Sequence, residues 1–441
     1  MLPFVLHSYP ALVEARTNIK NMTITQQTPA YNPPEIPSKW DIIPIHNSDR
    51  GAFKRCRRYW NWSSPTRFNL MLRADIHGIN NNLWFGTGIH WAIEQYYNPS
   101  LQRDPVEAFL TWFDIQWNGG IVTHEWLDRV YDLKPKPVEP FVSPTPLWTV
   151  RGLQDIIPSP NHDEFLELKQ LGEEMMKFYK QYAVKNDDFD VLVVEHDFSV
   201  PIWDYDNDKI LTAIDKREDS PNYGKELEVH ARGRMDLIKQ SRVNGKLGIF
   251  DHKTADKIGE DYFLKLETDE QCTSYLWAAE VEAQYYDLPH AGQPVEEVIY
   301  NALRKYYPKP PTEVRGGMFS INRETESATY EMLMEWIRKN APGVPLNIKQ
   351  QAYVDWLRDV GDEQFIIRKM VTRNRHQLIN AGKRIYREAL DMLRPDLLIY
   401  PNLTNDYGCM NCQFRNPCLA IEGGYDAPQI LRDNYTRVRD R

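Results

Sequence analysis

Gly245-Lys-Leu-Gly-Ile-Phe-Asp-His-Lys-Thr254 reads as a turn followed by a short β-strand that ends in an acid and a lysine one residue apart. Side chains alternate along a strand with period two, so Asp251 and Lys253 leave the same face. Asn244-Gly245 is a strong hairpin-turn signal. The run before it, Arg232-Gly-Arg-Met-Asp-Leu-Ile238, is a second strand pattern with its own acid, Asp236. The hairpin thus sets two carboxylates and an ammonium on neighbouring antiparallel strands. Hard divalent cations such as Mg2+ and Mn2+ need oxygen ligands and keep several waters. Two carboxylates can hold such an ion against a phosphate oxygen, where it acidifies water and stabilises charge on phosphorus. The lysine can position or help deprotonate the attacking water. Alone, Asp-x-Lys is more often a structural ion pair; the second acidic strand gives it weight.

Outward from the hairpin, Val191-Leu-Val-Val-Glu195 and Phe198-Ser-Val-Pro-Ile202 read as strand pieces, and Val295–Leu303 as one more strand. Asp163–Tyr182 is an amphipathic helix. Asp261–Tyr286 is helical, with Gln271 and Tyr275 on one face, and Gly86–Tyr97 places His90 and Glu94 four apart on another. Ser48 or Asp49 can cap a short helix carrying Phe53, Cys56 and Trp60. Thr329–Asn340 and Ile348–Arg394 read as helices, the second broken near Gly361. Helices, a mostly antiparallel sheet and further helices predict an α/β core with a helical surround. The expected divisions are an irregular arm over 1–40 and a segment with the first cysteine and the His-bearing helix over 41–97. A Pro/Trp-rich insertion follows over 98–161, a core over 162–305, a helical region over 306–400 and a cysteine-bearing end over 401–441.

A chain of 441 residues with 42% hydrophobic content buries a substantial core. No apolar run approaches the roughly 18–20 residues that span a bilayer. Met1–Leu6 lacks a basic leader, so no secretory signal and a cytoplasmic location are expected. A net charge of −9 argues mildly against a duplex-DNA binder. Basic residues nonetheless cluster at Lys54–Arg58 and between Arg368 and Arg387, a pattern that a solvated helix face also produces. Gly248–Thr254 echoes a phosphate-binding loop but has His252 where glycine is required, which removes nucleotide binding. No His-Glu-x-x-His occurs, so the common zinc-protease reading falls too.

The five cysteines are Cys56, Cys272, Cys409, Cys412 and Cys418. An odd number in a reduced compartment argues against a disulfide framework. Cys409-x2-Cys412-x5-Cys418 supplies three thiolates, and Cys56 in its basic aromatic helix is the natural fourth ligand. Such a site clasps the front of the chain to its end. Three-plus-one spacing suits a cubane iron–sulfur cluster better than zinc, without excluding zinc. Cys272 reads as an ordinary buried thiol.

Together these pieces resemble the PD-(D/E)XK nuclease superfamily. More narrowly they resemble its RecB-like branch with an iron–sulfur clasp, which includes the CRISPR-associated Cas-four-type exonucleases, their phage relatives and the AddB nuclease domain. The matching residues, in order, are Ser48-x4-Phe53 with Cys56, Gly86-x3-His90-x3-Glu94, Gly233-Arg-Met-Asp236, Asp251-His-Lys253, Gln271-x3-Tyr275 and the three closing cysteines. The resemblance implies a restriction-endonuclease-like core with a mixed, largely antiparallel sheet. It implies that His90, Asp236, Asp251 and the backbone carbonyl of His252 hold Mg2+ or Mn2+, with Lys253 serving the attacking water. It also implies that Gln271 and Tyr275 contact DNA or brace the site, with Glu94 and Glu195 in support, and that the four cysteines bind a [4Fe–4S] cluster. The implied activity is exonucleolytic, at single-stranded DNA ends.

No helicase motif accompanies these residues, so a stand-alone recombination, repair or phage-replication enzyme is expected, in the host cytoplasm if phage-encoded. A CRISPR role does not follow, because the arm and the insertion are extra. The alternative reading, from another class, is a non-catalytic iron–sulfur DNA-binding or assembly factor that keeps a nuclease fold. The intact set of His90, Asp236, Asp251 and Lys253 speaks against it.

Overall fold

A computed structural model describes residues 36–73, 81–118, 153, 162–285, 295–315, 317–403 and 406–437. The arm up to residue 35, most of the Pro/Trp-rich stretch (119–152 and 154–161) and the tail from 438 lie outside the described residues. Strand β1 (Ile42–His46) leads into helices α1 (Asn47–Arg55) and α2 (Arg57–Ser63), then β2 (Leu70–Leu72). Helices α3 (Asn81–Tyr97), α4 (Pro105–Asn118) and α5 (His162–Asn186) come next. The central run is β3 (Phe189–Pro201), β4 (Thr212–Ile214), β5 (Glu226–Ser241), β6 (Leu247–Ala255), α6 (Glu270–Tyr285) and β7 (Val295–Arg304). The last third holds α7 (Tyr330–Asn340), α8 (Ile348–Val360), β8 (Ile366–Thr372), α9 (Arg375–Leu393), α10 (Arg415–Glu422), α11 (Ala427–Asn434) and β9 (Tyr435–Arg437).

The expected hairpin is β5–β6, closed where Ser241 N–H donates to the Lys246 carbonyl at 2.9 Å and Gly245 takes φ 71°. That left-handed backbone suits glycine. The main sheet runs β1-β5-β6-β7-β8, with β3 and β4 also on β5. Pairs β1·β5 and β6·β7 are parallel; β3·β5, β4·β5, β5·β6 and β7·β8 are antiparallel. The sheet is thus mixed and largely antiparallel, as the restriction-endonuclease-like core requires. Strand β5 is long enough to carry β3 and β4 on one edge and β1 and β6 on the other. On the second edge β1 ends opposite Arg232 and β6 begins pairing at Leu237, so Gly233–Asp236 lies in the fork between them.

Alternation along the strands sends apolar side chains to both faces, and each face is covered by helices. On one, Ile249, Val298 and Ala302 pack with Cys272, Leu276 and Trp277 of α6 and Ile385 and Ala389 of α9. On the other, Leu237, Phe250 and Leu303 pack with aromatic residues of α3, α4 and α5. Helix α4 falls inside the stretch read as an insertion, yet Phe109 and Trp112 are buried in this second core. A separate small core joins α7 and α8. The two ends of the chain meet through the β2·β9 ladder and the cluster of Trp62, Phe414 and Tyr435.

Three local readings are corrected. Ile366–Thr372 is a strand rather than part of a long helix, because all seven residues pair with β7, and Gly361 with φ 51° ends α8 before it. The charged pair Arg368-Lys369 hides the period-two signal there. The short helix around Cys56 is two helices, with Cys56 extended between them (φ −166°, ψ 117°) and capping α2. The two strand pieces before the hairpin are one strand, β3, in which Glu195 takes φ 50°.

Candidate functional site

The fork in the sheet gathers the acids. Asp236 leaves β5 where the ladder to β6 stops, and its Oδ2 accepts the His252 N–H at 2.7 Å in place of a backbone partner. Asp251 is 1% exposed. Its Oδ1 accepts from Lys253 Nζ at 2.7 Å and from Gln271 Nε2 at 3.4 Å. Gln271 also donates to the Tyr275 hydroxyl at 2.7 Å, so the two residues on one face of α6 brace this acid from below. The other oxygen, Oδ2 of Asp251, is buried without a hydrogen-bond partner. An unsatisfied buried acceptor costs about 1–3 kcal/mol, more if charged.

Burial pushes the Asp251 carboxyl up to about 6, with Lys253 pulling it down and Asp236 raising it again. Burial also raises Asp236. For Lys253 burial acts to lower the pKa, but Asp251 and Asp236 outweigh it and hold the amine above its usual value. Lys253 is therefore an ammonium and a donor.

His90, on α3, brings Nδ1 to 3.6 Å from Asp236 Oδ2. Burial, then the Lys253 charge, lowers its pKa to about 4, so the imidazole is neutral and can serve as a ligand. A hydrogen bond ties its ring to the backbone of His252. The His252 imidazole itself turns to the opposite face, where Asn301 Nδ2 meets Nδ1 at 2.8 Å and Tyr97 stacks on the ring at 6.1 Å. Only its backbone belongs to the site.

A hard divalent ion fits this donor set: two carboxylates, a neutral imidazole and an orphaned Oδ2. Among the described residues, however, no three His, Cys, Asp or Glu side chains are already closed around one point. Lys253 pairs with Asp251 at 2.7 Å.

Glu195 of β3 stands across from Asp236 in the ladder, between the pairs Val194–Leu237 and His196–Met235. Its left-handed backbone costs a non-glycine residue about 1–2 kcal/mol. Burial first, then the Asp236 and Glu94 charges, push its carboxyl up to about 8 against the pull of Arg234. Burial raises Glu94 in the same way. A folded-state value above the unfolded 4.5 means that folding favours the protonated form. That stabilisation is full below about pH 4.5 and is lost as pH rises through 8. In chelator, Glu195→Gln should melt with wild type near pH 4.5 and above it at pH 9. A difference that does not change with pH would refute this account.

Sequence reading missed Tyr300, which pairs with Asp251 in the β6·β7 register. Lys253 Nζ lies 5.9 Å from its ring centroid, and its hydroxyl meets Tyr262 at 3.1 Å. Alternation in Val295–Leu303 marks Tyr300 as facing one way with Val298 and Ala302, but not which strand it faces. Several members of the basic runs are taken up by acids. Lys54 pairs with Glu270 and Glu388, and Arg58 with Glu422. Arg368 binds Asp187 and Asn301 beneath the sheet.

Cys56, Cys409, Cys412 and Cys418 line one cavity of about 150 Å³, together with Arg55, Arg58, Tyr59 and Trp62. Cys56 Sγ accepts from Tyr59 N–H at 3.5 Å and Asn402 N–H at 3.4 Å, and Arg58 donates to Cys418 Sγ at 3.3 Å. A single zinc draws four sulfurs to about 2.3 Å of one point. Among the described residues the four thiols line this cavity without closing around one point. Cys272 is fully buried in the core under α6, apart from the other four.

Among the described residues no helix is long and apolar enough to cross a membrane. The family model described as PD-(D/E)XK nuclease superfamily matches residues 50–419. No curated protein matches the chain.

Proposed function

Because the chain belongs to the PD-(D/E)XK nuclease superfamily, and so to a group of nuclease hydrolases acting on DNA, we propose that it is a divalent-cation-dependent exonuclease that trims single-stranded DNA ends. The observation that carries this reading is the buried, half-satisfied Asp251 carboxylate, flanked by Asp236, His90 and an ammonium. A fold kept only to bind DNA gains nothing from an orphaned buried oxygen beside a lysine.

In this reading Asp236, Asp251, His90 and the His252 carbonyl hold Mg2+ or Mn2+. The bound ion would supply Lewis acidity at the phosphate and lower the pKa of water. Lys253, held protonated, orients the attacking water and neutralises charge developing on phosphorus. Gln271, anchored on the Tyr275 hydroxyl, keeps Asp251 in place. Glu94 and Glu195 support the flank of Asp236. The four cysteines hold a [4Fe–4S] cluster, in preference to zinc, that joins the ends of the chain and takes no part in hydrolysis. Recombination, repair or phage replication is the setting such an enzyme fits.

Cleavage of end-labelled single strands, blocked at the 5′ or the 3′ end, tests activity, polarity and cation together. Excess chelator should abolish turnover, and Mg2+ or Mn2+ should restore it. A circular single strand should resist. Full turnover in chelator defeats the metal-dependent reading, and rapid loss of the circle defeats the exonuclease assignment.

A further inference from the structure

A cleft of about 420 Å³ opens beside Gly233 and Arg234 of β5, where the cysteine-bearing end of the chain meets the sheet. Five cationic side chains, Lys39, Arg217, Arg232, Arg234 and Arg437, line it against two carboxylates, Asp197 and Asp219. Their commitments differ, and Lys39 and Arg232 too are engaged with neighbouring groups. Arg217 is held by buried Asp215 and by the carbonyls of Lys39 and Ile42, so it belongs to the wall. Arg437 meets Asp219 at 3.1 Å, with both side chains well exposed (40% and 61%). Such a pair is worth little and exchanges readily for a phosphate, which arginine grips in the same bidentate way. Arg234 binds both oxygens of Asp197 and reaches Glu195 at 3.2 Å. Glu195 in turn stands across from Asp236, so Arg234 links the cleft to the edge of the fork.

The spacing fits one DNA strand. Arg234 and Arg232 precede Asp236 by two and four residues, about 7 and 13 Å along β5. At about 3.4 Å per stacked nucleotide this is two to four nucleotides. A side chain at position 233 would strike the Phe198 ring, its Cβ falling 2.6 Å from Cζ. Glycine there lets β3 and β5 close up. One wall belongs to β1 and β5, and the other, with Asn69 and Arg437, to the β2·β9 end. The cleft therefore exists only while the two ends of the chain are joined.

We infer that this cleft binds the sugar–phosphate backbone of the substrate strand two to four nucleotides from the scissile bond, with Arg232 and Arg437 as its phosphate contacts. The assignment rests on the deoxyribonuclease reading above and names where its substrate lies. The test is salt-dependent binding of a single-stranded oligonucleotide to the full chain carrying Lys253→Ala. Adding Arg437→Ala or Arg232→Ala should weaken binding about tenfold and shallow the log–log salt slope by about 0.7 each. Arg437→Lys should restore the slope, and Arg358→Ala, on distant α8, should change nothing. Melting temperatures separate lost contacts from misfolding, since the β9 backbone ladder does not need the Arg437 side chain. Unchanged affinity and slope in both alanine variants, with wild type still cleaving, overturns the cleft assignment and spares the nuclease reading. A wild type that cuts no DNA with any divalent cation overturns both.

Discussion

Lys253→Ala is expected to lower single-strand cleavage by about 10²–10⁴-fold, the range of a positioned proton-transfer or water-orienting group, while DNA binding changes little. The reason lies in the charge balance of the fork. Lys253 is the cation that satisfies Oδ1 of Asp251. Removing it leaves a carboxyl that burial already pushes up to about 6 with less to hold it ionised. The defect should therefore show in kcat rather than KM, and Lys253→Arg should not repair it, because a planar fork cannot replace a compact ammonium. The same loss of Lys253 raises the Asp251 carboxyl further, so the variant should need higher pH or more cation to bind metal, read by Mn2+ titration. Undiminished turnover in Lys253→Ala rules out the mechanism.

Cys412→Ser carries the second large effect. If the cysteine cavity holds a cluster, anaerobically purified wild type should be brown, with about four irons per chain. The serine variant should lose both colour and iron. Binding energy at a structural metal site is folding energy, so the variant should also melt at least about 5 °C lower. Its damage should be local first. The segment from 406 to 437 packs on the core through Phe414, Tyr435 and the β2·β9 ladder, and protease should attack there before the sheet. Because the DNA cleft uses Arg437 of this segment, strand affinity should fall along with the cluster. A colourless, fully active wild type with one zinc per chain would replace the cluster by a zinc site. A metal-free wild type of equal stability would remove the clasp altogether.

Much of the chemistry was legible because it is local. Period-two alternation placed Asp251 and Lys253 on one face, and a helical turn placed Gln271 above Tyr275; both relations hold in the structure. The glycine-bearing turn put Asp236 on the neighbouring strand. What misled was also local. Arg368-Lys369 broke the apolar rhythm of β8, so an edge strand passed for helix. The charges at Lys54–Arg58 suggested a surface, yet Lys54 and Arg58 bind acids from α6, α9 and α10. Val191–Glu195 does form a strand, but nothing in those residues announces that Glu195 bends into a left-handed conformation opposite Asp236.

The sequence by itself determined the local relations: Asp251 and Lys253 on one face of a strand, a second acid-bearing strand beside it, and Gln271 one helical turn from Tyr275. Only the tertiary structure decided who meets whom. His90 reaches Asp236 because one face of α3 buries its aromatic residues against the sheet, and Cys56 lines one cavity with Cys418 because the β2·β9 ladder draws the two segments together. The physical reason is one of range. Periodicity is set by backbone geometry within a few residues, whereas partners are chosen by burying whole faces across hundreds of residues, and no short window of sequence contains both sides of that choice.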